Sequence, residues 1–406
     1  VSGKTKGMRS SRMPFCLVNS MFNFIYNEKF RAVFFQALTF SLVAVGIFYL
    51  FTNTNENMNA RDMKTGFDFL WITAGFDTDF HMIDYEAGDT YGRVYLVAIL
   101  NTLLVAALGI VGTTIIGFFV GILRLSSNWL VAKVAAAYVE ILRNTPLLLQ
   151  IIYWYLLLLA FLPRPKQSFD FLYLDVFFLN NRGFYGPSPS FESGATLVLA
   201  GIAIAIVAVV VLFRHARKVQ DSTGRIMPKY SWGLAIVVVV PAVAYFIAGQ
   251  PIGWEVPILK GFNLRGGWRV PPAFITLLIA LSVYHSSYMA ESVRAGILSV
   301  SKGQTEAALS IGLNRGLALR LVIIPQAMRA IVPTMISHWM NVVKNSSLAV
   351  AIGYSEITAL FMQTSLNQSG YAIEIVALTM LFYASVSLTI SAVLNVYNKR
   401  VQLVER

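Results

Sequence analysis

The sequence predicts an all-α polytopic membrane protein of about eight transmembrane helices, and three observations carry that prediction. Of its 406 residues, 56% are hydrophobic and only 13% are charged, against about 25% in an ordinary soluble domain. So little polar surface cannot cover a globule in water, and the solvent must be lipid. Apolar runs of roughly 20 residues, the length that spans a bilayer core, recur along the chain. The loops between them alternate in charge, as the loops of an oriented membrane protein do.

Residues 1–31 form a basic segment with Lys4, Lys6, Arg9, Arg12, Lys29 and Arg31. No long apolar run begins before about Ala32, so no cleaved secretory signal is read there. An extra N-terminal span follows at 32–52. Residues 53–93 are acidic, with Glu56, Asp62, Asp68, Asp77, Asp79, Asp84, Glu86 and Asp89 against Arg61 and Lys64. Within them Met63, Phe67, Leu70 and Trp71 recur at helical spacing, which predicts a short amphipathic helix on the outer surface. The next spans are 94–123 and 135–161. The second carries Glu140, Arg143 and Pro146, and proline disfavours regular helix just before it.

Residues 162–270 hold a Pro- and aromatic-rich outer loop and two plain apolar spans, 195–213 and 231–249. A basic turn with Arg214, Arg217, Lys218, Arg225 and Lys229 joins the two spans. Span 195–213 has no charged residue and reads as packing or lipid contact. Spans at 271–294, 331–352 and 372–397 complete the set, ahead of a tail at 398–406. Eight spans and the Lys/Arg bias put both termini in the cytoplasm, together with the polar stretch around Glu306. Arg265 and Arg269 are outer exceptions.

The net charge of +12 suggests nucleic-acid binding in a soluble protein, but here the basic residues sit in short loops between apolar runs and set orientation instead. Cys16 is the single cysteine, which excludes an intramolecular disulfide and a cysteine metal cluster. No phosphate-binding G-x-x-x-x-G-K-[ST] is present, since Gly3-Lys4-Thr5 lacks the upstream glycine loop; H-E-x-x-H and G-x-S-x-G are missing too. The chain does not read as an enzyme, and any energy from ATP must enter through another chain.

Charged groups at mid-bilayer cost roughly 2.5–3.5 kcal/mol each, so those retained line a cavity or pair. Tyr284, Ser287, Tyr288 and Glu291 share one helical face, and Glu291 and Arg294 are spaced to pair. The face serves either as a structural salt bridge near the inner interface or as the lining of a translocation path. Glu140, Arg143, Asn144 and Thr145 precede Pro146, where an interrupted helix exposes backbone groups to ligands or is satisfied by its neighbours. Asn341, Lys344 and Ser346 form a third cluster, in which the Lys344 cation calls for a carboxylate or carbonyl partner. His285 and His338 are isolated and read as packed or hydrogen-bonded.

Between the spans at 271–294 and 331–352 lies Glu306-Ala307-Ala308-Leu309-Ser310-Ile311-Gly312-Leu313, followed by Arg315, Arg320 and Ile324-Pro325. It is helical in composition, polar, and stopped by glycine. This stretch resembles the EAA loop of ABC importer permeases, EAA-x3-G-x9-I-x-LP, with Val322 and Ile324 at the usual Ile and Leu. Tyr138–Leu148, Asn101-Thr102-Leu103, Ala290–Ile297, Gly303–Ala308, Pro325–Arg329 and Lys344–Leu348 resemble the motifs of polar amino-acid permeases in family order. The extra span, the outer Gly66-Phe67-Asp68-Phe69-Leu70 and the inserted span pair are similar to the long form seen in general L-amino-acid permease subunits. Glutamate/glutamine/aspartate/asparagine permeases share that layout.

The resemblance implies a type I ABC importer permease core, in two parts at 94–161 and 271–397, in a Gram-negative inner membrane. It implies a heterodimer with a related permease chain, two ATP-binding subunits that hold ATP and Mg, and a periplasmic binding protein delivering a polar L-amino acid. The coupling helix, near 301–325, would seat in a groove of the ATPase through Gln304, Glu306, Ala307, Ala308, Gly312, Arg315, Arg320 and Pro325. Asn101 and the three polar clusters form the candidate substrate path. Two rival classes are an ion-gradient-driven secondary transporter, which needs no ATPase, and a non-transporting membrane scaffold.

Overall fold

A computed structural model describes residues 3, 28–60, 64–191 and 194–401. Lys4, Lys6, Arg9, Arg12, Cys16, Arg61, Asp62 and Met63 lie outside the described residues. Among the described residues, seven helices are long and apolar enough to cross a membrane, and a sharply bent helix pair raises the number to eight. The chain divides into two compact units, Val1–Gly66 and Phe67–Arg406. Among its described residues the first contains one long helix, α1 (Glu28–Ala60), which contains the predicted extra span.

The second unit is built around α2 (Tyr91–Leu123) and α7 (Pro272–Leu298). Buried Gly109, Thr113, Gly117 and Gly121 recur every fourth residue on α2, a stripe of small residues that lets two membrane helices approach at backbone distance. A Cβ at Gly117 would lie 2.5 Å from the Met289 Cβ, and one at Gly121 would lie 2.8 Å from the Ala290 carbonyl oxygen. Van der Waals contact at this range is the main attraction available between helices in lipid.

The span read at 135–161 is two helices, α3 (Trp129–Asn144) and α4 (Leu147–Phe161), bent by 105° at Thr145-Pro146. Gln150 holds the bend. Its buried amide donates to the carbonyls of Leu142 (3.0 Å) and Thr145 (3.1 Å), which the break leaves without helical partners. The inserted pair is α5 (Ala195–Thr223) and α6 (Lys229–Ile247). Beyond α7 come α8 (Lys302–Ser310), α9 (Arg315–Ala318), α10 (Ile324–Asn345), α11 (Leu366–Ser369) and α12 (Ala372–Val401).

Two outer segments differ from expectation. The amphipathic helix read within 53–93 does not form across Phe67, Leu70 and Trp71. A single 3-10 turn, Asp68–Trp71, takes its place, and its fully buried residue is Phe69, while Phe67 and Trp71 are exposed. Gly66 (φ +114°) and Gly75 (φ +75°) break the chain on either side, and the Phe69 ring stacks on Tyr371 at 4.9 Å and on Phe361 at 6.3 Å. One aromatic in an aromatic core outweighs a half-exposed helical stripe. Farther along, Tyr85 donates to the Phe76 carbonyl at 2.6 Å. Burial, reinforced by Asp77 and Asp89, pushes its hydroxyl up to about 12, which keeps it a donor.

The all-helical reading also misses small sheets in the outer loops of 162–270. Phe178–Asn180 pairs with Gly183–Gly186, which pairs antiparallel with Trp268–Val270, so the two ends of the insertion are stitched together. Ser188–Phe191 pairs with Ile252–Glu255, and Ile258–Lys260 with Asn263–Arg265. Each strand has four residues or fewer, too short for an alternating pattern to register. The Arg269 guanidinium ties this module to the outer segment through Asp79 at 2.8 Å.

Candidate functional site

The polar stretch after α7 folds as a helix, a reversal and a restart. Helix α8 (Lys302–Ser310) leaves every side chain exposed except Ala308. Gly312 ends it at φ +85°, where a residue with a Cβ is strained. The Leu313 amide then reaches the Ala308 carbonyl (3.2 Å) and the Gly312 amide the Leu309 carbonyl (3.0 Å), the paired bonds of a Schellman stop. Two residues on, the Asn314 side chain accepts from the Leu317 amide at 2.8 Å and starts α9.

Between α9 and α10 the chain widens into one π-helical turn, Leu319–Ile323. Pro325 follows at the start of α10, where it has no N–H to bond back and its ring needs the room that a wider turn gives. Gln326 donates to Gln304 at 3.1 Å, bracing α8 against α10. Glu306, Ala307, Arg315, Arg320 and Pro325 remain exposed. The predicted coupling residues thus lie on one continuous loop, with Gly312 at its reversal.

The second cluster gathers around α7. Its lining residues Arg124, Val139, Glu140, Arg143, Asn144, Tyr288 and Glu291 surround a cavity of about 480 Å³. Arg143 stacks over the Tyr288 ring at 5.1 Å, and Tyr288 bonds Tyr284 at 3.1 Å. Glu291 pairs with Arg294 at 2.6 Å, as its spacing predicts, and also with Arg124. Glu291 is therefore paired, as the salt-bridge reading has it, and it also lines this cavity. Two further bonds tie the face to its surroundings: Tyr138 to Ser286 at 2.7 Å, and Ser292 to His338 at 2.8 Å. His285 meets Asn345 at 3.1 Å, so both histidines are hydrogen-bonded as expected.

Several candidate path residues do other work. Asn101 is fully buried and donates to the carbonyls of Phe80 (2.9 Å) and Ser355 (2.8 Å), fastening the outer segment to the core. Ser287 and Ser346 are buried, and their hydroxyls return to backbone carbonyls within their own turn, Tyr284 (2.6 Å) and Val343 (2.7 Å). Thr145 bonds back to Ile141 at 2.7 Å. Lys344 has neither the carboxylate nor the carbonyl partner that its charge calls for; it is exposed, with no side-chain partner among the described residues. Helix α10 turns Val342, Val343 and the following Ser346 inward, which leaves Asn341 and Lys344 facing out.

Sequence reading missed three groups. Arg124 follows an apolar run directly, a position that sequence alone reads as an interface anchor. Gln150 is the one amide in the run Leu147–Phe161, and that isolation could have marked it. Glu356, fully buried, caps the turn after it by accepting from the amides of Thr358 and Ala359, each at 2.8 Å.

A bundle of membrane-crossing helices with one short polar helix left exposed at α8 is a multi-pass membrane protein. Comparison with known proteins agrees. Residues 113–403 match the family model described as binding-protein-dependent transport system inner membrane component, and the chain belongs to that family. It is 47% identical over 382 residues (94% of this chain, 96% of the relative) to YhdX of Escherichia coli (strain K12), named as an amino-acid ABC transporter permease protein. It is 43% identical over 382 residues (94% and 95%) to the general L-amino acid transport system permease protein AapQ of Rhizobium johnstonii. The glutamate/glutamine/aspartate/asparagine transport system permease protein BztB of Rhodobacter capsulatus is 37% identical over 411 residues (94% and 96%).

Proposed function

We propose that this chain is the translocation subunit of an ATP-driven importer that passes polar L-amino acids, delivered by a periplasmic binding protein, by alternating access. The observation that carries the reading is the exposed Glu306-Ala307-Ala308 helix, stopped by Gly312 and restarted by Asn314. Its relatives' names supply the cargo class. ATP and Mg sit in two partner ATP-binding subunits, and this chain has no hydrolytic role of its own. A related permease chain completes a heterodimer, and the outward-facing Asn341 and Lys344 suit that contact. Both termini lie in the cytoplasm, in keeping with the charge alternation of the loops.

In the working cycle, closure of the ATP-binding subunits pushes α8. Gly312 and the wide turn before Pro325 pass the push to α10, and Arg315 and Arg320 meet acidic groups on the ATPase. The Tyr288, Glu140, Arg143 and Asn144 groups around the cavity, with Tyr284 bonded to Tyr288, suit a zwitterion, which needs both a cation and hydroxyl or carboxylate partners. On the outer side, a hollow of about 700 Å³ includes Arg164, Lys166, Arg182 and Phe262 in its lining and offers a cationic seat for the binding protein.

Charge reversal tests the reading. In the reconstituted complex, Glu306→Arg is expected to reduce amino-acid-stimulated ATP hydrolysis by about tenfold or more, the scale of a lost interfacial charge contact. The exposed helix stays folded in this variant, and circular dichroism checks that. Unchanged stimulation would remove α8 from the coupling role.

A further inference from the structure

The inserted hairpin has no part in the scheme above, yet its architecture is specific. Helix α5 has 29 residues, about 43 Å at 1.5 Å per residue, whereas the hydrocarbon core is about 30 Å thick. Its uncharged stretch ends at Phe213, and the helix continues unbroken for ten residues to Thr223, where Gly224 (φ +71°) stops it. Aromatic residues mark the level of the interface. Phe213 meets Tyr230 edge-on at 5.7 Å, Lys229 lies 5.5 Å from the Tyr230 ring, and Trp232, two residues after Tyr230, is exposed.

At that level the cations begin. Arg214, Arg217 and Lys218 share one helical face by their i, i+3, i+4 spacing. All three are exposed, as is Arg225, while Ala216 is buried. Asp221 is the only carboxylate between 214 and 229, and none of these cations or Lys229 forms an ion pair among the described residues. The hairpin packs on itself, Gly201 against Ala244 and Gly233 against Phe213. Outward residues such as Leu199, Ile204, Val207, Val211 and Val238 are exposed to whatever surrounds the protein, which in a bilayer is acyl chain.

We infer that this basic end of the hairpin is a binding site for anionic phospholipid headgroups. Arg214, Arg217 and Lys218 hold the phosphates, and Arg225 and Lys229 flank them. Charge and geometry agree on that occupant. Guanidinium and ammonium groups both make charge-assisted hydrogen bonds to phosphate, and a basic cluster placed directly beyond a membrane helix meets the headgroup layer. An orientation signal alone would need the charges but would not need them to select a lipid, and that difference is measurable.

The full chain is reconstituted into nanodiscs of mixed phosphatidylglycerol and phosphatidylcholine. Lipids retained after extraction are then counted by native mass spectrometry. The parent is expected to retain phosphatidylglycerol preferentially, with the preference falling as salt rises. R214Q/R217Q/K218Q is expected to lose most of it, roughly fivefold for each charge removed, while R214K/R217K keeps most of it and all variants unfold at the parent temperature. A parent without preference, or a glutamine variant that retains it, would overturn the proposal. So would a glutamine variant that keeps its lipid preference and instead loses co-purification of an ATP-binding subunit, because the surface would then serve an acidic protein.

Discussion

Gly312→Val is expected to uncouple the transporter without unfolding it. The Gly312 backbone sits at φ +85°, and a Cβ built there meets nothing within 4 Å, so the cost lies in backbone conformation and not in space. For a β-branched residue that cost is about 1–2 kcal/mol, a factor of roughly 5–30 in the population of the native loop. Losing the reversal also frees the Leu313 and Gly312 amides from Ala308 and Leu309 and unseats Asn314. Substrate-stimulated ATP hydrolysis and uptake into proteoliposomes should fall together by about that factor. Gly312→Asn, which tolerates the left-handed region, should retain most of both. If valine and asparagine behave alike, the reversal is not what transmits the force.

Gly117→Leu is expected to damage the fold itself. At this point α2 and α7 approach so closely that even a Cβ would lie 2.5 Å from Met289 and 3.2 Å from the Ser286 carbonyl oxygen. Neither neighbour can yield, because Met289 and Ser286 are both fully buried. Overpacking a rigid contact costs roughly 1–3 kcal/mol and more when backbone is displaced, and this crossing carries the core of the second unit. Thermal unfolding of the detergent-solubilised chain should drop markedly for leucine and by less for Gly117→Ala. A leucine variant that unfolds at the parent temperature would mean that the two helices are not held by this stripe.

The spans were legible because lipid imposes a simple rule, about 20 apolar residues for each crossing, and the observed helices bracket or overlap all eight predicted spans. The break in the third was legible from Pro146, although not the 105° bend or the amide of Gln150 that holds it. The outer module was not legible, since its short strands are set by pairing between residues far apart, such as Tyr185 with Arg269. Sequence spacing carries no trace of that pairing.

The candidate site divides the same way. The loop from Glu306 to Pro325 was readable in part: its helix and its stop at Gly312 follow from local composition, whereas the Asn314 cap and the π-turn Leu319–Ile323 appear only in the structure. The polar path was less readable because a hydroxyl on the right helical face can be satisfied by its own backbone. Ser287 does this with Tyr284 and Ser346 with Val343. Asn101 shows the limit most clearly. Its position on a membrane helix suggests contact with cargo, whereas its amide is spent on two backbone carbonyls contributed by segments 21 and 254 residues away.

The central claim is that force enters through α8, and cross-linking tests it most directly. With Cys16, the chain's single cysteine, replaced by serine, Ala307→Cys places one thiol on the exposed face of the helix. Ser222→Cys places one at the turn of the inserted hairpin as a comparison. In the assembled complex the Ala307→Cys thiol should cross-link to an ATP-binding subunit through a short bifunctional reagent, and cross-linking should stop substrate-stimulated ATP hydrolysis. A cross-link from Ser222→Cys alone, or an Ala307→Cys cross-link that leaves stimulation intact, would contradict the account.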